Sequence, residues 1–178
     1  MKKAGLIAVL AIFLAVPAAT AQVKTDYDHG VDFSQFKTWA WMEGTPAQAP
    51  FAQERLEAIL ETKLVEKGLV KAEDGEPDLF VVTHVSRSTE KQVDVSSLGY
   101  GGYYGWRGWG GSWGTTQVNV REIPVGTLVV DLVDATKHEL VWRGVASDTI
   151  ANKPKKNEKR VRKAVSKMFN RFPPQPGK

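Results

Sequence analysis

Apolar residues recur along this chain with two different periods, and the switches between them mark its elements. "VKTDYD", residues 23–28, alternates Val23, Thr25 and Tyr27 with polar neighbours, and "TWAWM" at 38–42 is rich in β-forming aromatics. Both predict strands. From Phe51 the period lengthens: Ala52, Leu56, Ile59, Leu60 and Leu64 fall on one helical face, with Glu and Lys opposite. Gly68 stands where a left-handed residue would end that helix. "DLFVVTHVSR", residues 78–87, begins a long strand with Leu79, Val81, Thr83 and Val85 on one face and Phe80, Val82, His84 and Ser86 on the other. Strand character resumes at "TTQVNVREI". The run from Gly126 to Ile150 then reads as two β-rich segments joined by a polar turn at Asp134 to His138. Finally Val161, Ala164, Val165, Met168, Phe169 and Phe172 recur at helical spacing, and Pro173-Pro174 closes that helix.

The order strands, helix, strands, helix predicts an α+β fold. It is read as a two-layer sandwich, a mostly antiparallel sheet with both helices on one face, rather than a βαβ winding. One stretch interrupts the pattern. "GYGGYYGWRGWGGSWG", residues 99–114, has eight glycines and six Tyr or Trp in sixteen residues. It lies between strand-forming segments and reads as a hairpin excursion. Ordering it costs about 1–2 kcal/mol per residue, and six such rings are too many for one small core. Tyr100, Tyr103, Tyr104, Trp106, Trp109 and Trp113 are therefore the candidate binding surface, with Arg107 adding a charge or a stacking plane. Such rings suit an envelope glycan, a membrane interface or a protein partner, a second copy of the chain included. The structural alternative is a low-complexity insert folded over the domain's own sheet.

Charge and composition add a compartment. Lys2 and Lys3 precede an apolar run that ends in Ala19-Thr20-Ala21, the pattern of a secretory signal cleaved near Ala21. Residues 1–21 are thus read as a signal peptide and 22–178 as a single domain, periplasmic or associated with the outer membrane. The alternative is a signal retained as an N-terminal anchor. The chain has no cysteine, which excludes disulfides, thiolate chemistry and lipid attachment through an N-terminal cysteine, so no lipoprotein is expected. Residues 153–178 hold ten Lys or Arg against the single acid Glu158, whereas residues 22–152 hold twelve basic and nineteen acidic residues. The basic amphipathic helix expected at 154–172 offers Lys155, Lys156, Lys159, Arg160 and Lys163 as candidate contacts for an anionic surface. The same residues also fit the solvated back of a helix. Nucleic acid is not expected as a partner of an exported chain.

Several of these segments together resemble a known family. "DYDHGVDFSQFKTWAWM", "ERLEAILETKLVEKGLV", "PDLFVVTHV", "GTLVVDLVDATKHELVWRG" and "VRKAVSKMFNRFPP" are similar, in this order, to the domain-of-unknown-function family 4136. The resemblance runs from about Asp26 to Pro174. It implies a bacterial envelope protein, often a lipoprotein, with no established activity and no catalytic residues to carry over. The missing acceptor cysteine sets this chain apart from the lipoprotein members.

Catalytic motifs are few. Gly110-Gly111-Ser112-Trp113-Gly114 matches G-x-S-x-G, followed by Asp131 or Asp134 and then His138 in hydrolase order. A nucleophile elbow needs a strained strand-to-helix turn, however, and a tract half glycine matches glycine-bounded patterns by chance. Asp26, Asp28 and Asp32 lack the glycine and glutamate positions of a calcium loop, and are read as the solvent face of an edge strand and its turn. His29, His84 and His138 share no ligand spacing. Trp39, Trp41 and Trp142 are read as core before sugar platform. The expectation is a non-catalytic exported protein that binds, without cofactor or metal. A periplasmic hydrolase or metal-dependent enzyme is the alternative.

Overall fold

The computed structural model describes residues 22–73, 75–97 and 116–174. The signal segment and the 99–114 tract lie outside the described residues. The elements are β1 (Gln22–Tyr27), a 3-10 turn (Phe33–Gln35), β2 (Thr38–Trp41), α1 (Pro50–Glu66), β3 (Val70–Lys71), β4 (Leu79–Ser97), β5 (Thr116–Asp134), β6 (Glu139–Thr149) and α2 (Pro154–Phe169). They form one six-stranded sheet in the order β1-β6-β5-β4-β2-β3. β1, β6, β5 and β4 are successively antiparallel. At the other edge β4, β2 and β3 run parallel.

That parallel edge departs from the sequence reading, because β2, α1 and β3 make a βαβ unit. β3 is only two residues long and carries no period of its own. It is placed by tertiary bonds, Val70 N–H to Lys37 O at 2.8 Å and Ala72 N–H to Trp39 O at 2.8 Å. β5 also joins two stretches that the sequence separates at Pro124. The proline carbonyl accepts from Ile150 N–H at 2.7 Å, so its missing N–H falls on the side where β6 ends and costs no bond to β4.

The faces follow the period-two pattern. Leu79 and Val81 of β4, Leu128, Val130 and Leu132 of β5, and Trp142 and Ala146 of β6 share one buried core with both helices. α1 contributes Leu56, Ile59, Leu60 and Leu64, and α2 contributes Val165, Met168 and Phe169. Gly68 closes α1 with φ of +83°, the region that favours glycine. At the β5–β6 turn, Asp134 Oδ1 accepts from the N–H of Thr136 (2.9 Å) and Lys137 (3.0 Å), which spares a buried carboxylate from lying unpaired.

Asp78 fastens the parallel edge. One of its carboxylate oxygens accepts from the backbone N–H of Lys37 (2.7 Å) and Thr38 (2.8 Å). Its own N–H donates to Thr38 Oγ1 at 3.0 Å. The two backbone hydrogen bonds, ahead of the nearby Lys37 charge, hold its carboxyl below the ordinary value of 3.8. They favour the ionised form, so their contribution is complete above the unfolded-state pKa and is lost as the pH falls through the lower folded-state one. Asp78→Ala is expected to cost about 1–3 kcal/mol near neutral pH. The difference from the native chain should shrink in acid, which urea unfolding at about pH 7 and about pH 2 measures.

A half-open cleft at the foot of a long ribbon

The space between the sheet and the helices is filled unequally. At the end where α2 finishes, aromatic side chains close it. Trp142 lies against Phe169 with ring centroids 5.0 Å apart and against Phe172 at 5.6 Å, and Phe33 meets Phe172 edge-on at 5.8 Å. At the end where both helices begin, the side chains reaching inward are small. Ala52 of α1, Ala146 of β6, Ala164 of α2 and Gly126 of β5 leave a half-open cleft of about 520 Å³. The apolar period of α1 puts Ala52 on its buried face, but it is exposed, at the wall of this cleft.

Strand register builds the floor of the cleft in rows. Val85, Leu128 and Ala146 pair across β4, β5 and β6 as an apolar row. Two residues further along each strand comes Arg87, Gly126 and Asp148, so charge replaces apolar surface at the mouth. Arg160, from the second turn of α2, crosses to β6 there. Its Nη1 donates to the carbonyl oxygen of Thr149 and to Thr149 Oγ1 (2.7 Å), and lies 3.8 Å from Asp148 Oδ1. The walls are latched by early helix side chains. Gln53 Oε1 accepts from Ala47 N–H at 2.9 Å. The Asn157 amide both accepts from Ala151 N–H (2.7 Å) and donates to Ala151 O (2.8 Å).

From this foot β4 and β5 continue alone. The last β5–β6 pair is Val125↔Thr149, yet β4 and β5 stay paired from Glu90↔Ile123 to Ser97↔Thr116. Those eight pairs carry the ribbon about 27 Å beyond the sheet. Val93 and Val120 face each other on it and are both about half exposed.

The residues singled out in the sequence are scattered. Tyr100, Tyr103, Tyr104, Trp106, Arg107, Trp109 and Trp113 lie outside the described residues, as does the G-x-S-x-G segment. Lys155, Lys156, Lys159 and Lys163 are exposed on α2, while Arg160 is half-buried at the cleft. Trp39 and Trp142 are buried in the core. Trp41 is half-buried, edge-on to Trp39 at 5.1 Å, and donates its indole N–H to Glu61 Oε1 at 3.2 Å. The Lys71 hydrogen bond to Glu61 (2.7 Å) is the chief reason that the Glu61 carboxyl sits below its usual range. His84 lies on the face away from the helices, with Nδ1 3.0 Å from Thr45 Oγ1, and His138 is exposed in the β5–β6 turn. Asp131, on that same open face, is held by Arg143 through two bonds of 2.7 Å, which raise the Arg143 pKa. Among the described residues no three His, Cys, Asp or Glu come together as metal ligands. No helix among them is long and apolar enough to cross a membrane. The sequence reading missed Arg87, Asp148 and the cleft, since its small residues become neighbours only in the fold.

The architecture is that of a two-layer α+β domain with one ribbon projecting from its sheet. The chain belongs to the family described as "Domain of unknown function (DUF4136)", which matches residues 23–174. No curated protein sequence matches it. Among solved structures, a PDZ domain protein from Parabacteroides distasonis is similar over 88% of this chain, at 18% identity and a TM-score of 0.56. The chain spans 37% of that protein, so the likeness is one of fold. The PelC dodecamer from Paraburkholderia phytofirmans has 14% identity and a TM-score of 0.49, with 84% of this chain and 95% of that one covered. A minor lipoprotein from Acinetobacter baumannii has 13% identity and a TM-score of 0.38, with 77% of this chain and 92% of that one covered.

Proposed function

We propose that this is an exported envelope protein that acts by binding, with the glycine–aromatic tract as its contact surface. The ribbon is the observation that supports this reading. Two strands that run on beyond the rest of the sheet bury little surface and add little to the core. Their last pair, Ser97↔Thr116, brings together the chain on either side of the tract, away from the body. The signal-like segment 1–21 supplies the export route, with cleavage near Ala21 and a single domain from residue 22 to 178. Tyr and Trp spaced by glycine supply stacking faces suited to a glycan, a membrane interface or a protein surface.

The test is envelope fractionation of the native protein beside a variant in which residues 99–114 are replaced by a short Gly-Ser turn. The native protein is expected to be processed and to travel with membrane or sedimented peptidoglycan, and the variant to become soluble while keeping its circular dichroism and unfolding midpoint. The fraction that holds the native protein identifies the partner class. Equal partition of two equally folded proteins would remove the tract from any binding role.

A further inference from the structure

We infer that the cleft between the starts of α1 and α2 is a binding site for a long-chain aliphatic carboxylate, the chain lying on the sheet and the carboxylate at Arg87 and Arg160. This site is separate from the tract and does not depend on its role. Its volume of about 520 Å³ is that of a small-molecule site. The inner lining is aliphatic: Leu56 and Ala52 from α1, Val85 and Leu128 from the floor, Val161 and Ala164 from α2. Among the described residues no aromatic ring lines it, so these walls lack the stacking face that sugars and nucleobases use. An unbranched alkyl chain needs no such face and can lie along this aliphatic lining.

Charge at the mouth selects the other end of the ligand. Asp148 Oδ1 already accepts from Thr149 N–H at 2.7 Å and lies 3.8 Å from the Arg160 guanidinium, so its charge is matched. Arg87 has no ion-pair partner among the described residues, which leaves the mouth net positive. Both helices begin at this end with proline and with no acidic residue in the first turn, so their dipoles add to the positive field. A guanidinium fork matches a carboxylate with two parallel hydrogen bonds. Gly126 stands between Arg87 and Asp148 in the same row and keeps the floor open there. A Cβ at that position would come within 3.3 Å of Ile150 Cγ1.

The test uses the full chain expressed for export, purified and stripped of lipid, and titrated calorimetrically with dodecanoate below its micelle concentration. Saturable binding is expected, falling up to about four-fold for each methylene removed in a chain-length series. Ala52→Trp fills the cleft from an exposed position and should weaken dodecanoate at least about ten-fold. Arg87→Gln should weaken it about five-fold while preserving the chain-length steps. Dodecyltrimethylammonium, with the same chain and the opposite charge, should bind at least about ten-fold less tightly than dodecanoate. The tract-replaced variant should bind dodecanoate like the native protein, which separates this site from the tract. The inference is overturned if the folded native protein shows no saturable binding. It is equally overturned if the cation binds as tightly, if folded Ala52→Trp and Arg87→Gln both bind undiminished, or if replacing the tract abolishes binding.

Discussion

Trp142→Ala is expected to destabilise this protein by about 3–5 kcal/mol, at the top of the range for a core truncation. Trp142 is 1% exposed and closes the aromatic end of the sandwich. Its ring packs on Phe169 and Phe172 from above, and Gly144 makes room for it on its own strand. A Cβ on Gly144 would lie 2.7 Å from Trp142 Cη2 and 3.0 Å from Met168 Sδ, so the indole and the Met168 side chain fill the space over the glycine, and truncating the indole opens a cavity there. The melting temperature should fall by roughly 6–20 °C for a chain of this size. Trp142→Phe is the informative companion. The indole N–H has no hydrogen-bond partner in its buried position, so phenylalanine loses volume but also removes an unsatisfied donor. Its cost should be less than half that of alanine. Urea unfolding followed by circular dichroism measures both, and a loss below about 1 kcal/mol for Trp142→Ala would show that this end of the core is not closed by the indole.

Gly44→Ala is expected to cost about 3 kcal/mol, for a different reason. Gly44 does not need the left-handed backbone region; it needs space. It lies against β4 where a Cβ would run into the carbonyl oxygen of Thr83 and come within 3.0 Å of Val82 Cγ1. The obstacle is backbone, so no side-chain rotation relieves it. The segment after β2 must then lift from β4, giving up the bonds from Met42 N–H to Val81 O (3.0 Å), Thr45 N–H to Thr83 O (2.9 Å) and Val85 N–H to Thr45 O (2.8 Å). Amide exchange at Thr45 and Val85 should accelerate along with the loss of stability. Unchanged exchange at both amides would mean that the chain absorbs the methyl without leaving the sheet edge. The consequence reaches the cleft, because this segment runs on into Ala47 and Ala49 of its wall.

Much of this protein was legible from side-chain periodicity. The alternation in β4 put Leu79, Val81, Thr83 and Val85 on one face, and the structure turns that face to the helices, burying the first three and half-burying the fourth. Gly68 and the Asp134 turn were visible because each is local chemistry, a left-handed cap and an acidic side chain bonding its own loop. Trp39 and Trp142 went to the core because burying such large apolar surfaces outweighs their display. The site was far less legible. Ala52 followed the apolar period of α1 yet ended at an exposed wall, since it lies in the first turn, where the helices and sheet leave the cleft half-open.

The sequence by itself determined the class of fold, the alternating faces of β1 and β4, the apolar stripes of both helices, the ends of α1 and the family. Those depend on contacts between near neighbours and on which residues water rejects. Only the tertiary structure decided that two residues at Val70 and Lys71 become an edge strand, and that Pro124 sits harmlessly inside β5. It alone placed Arg87, Gly126 and Asp148 in one row at the mouth of a cleft. The physical reason is the same in each case: strand pairing is non-local. The row joins positions 39 and 22 residues apart in the chain, and no period within either segment records which residue will lie beside which.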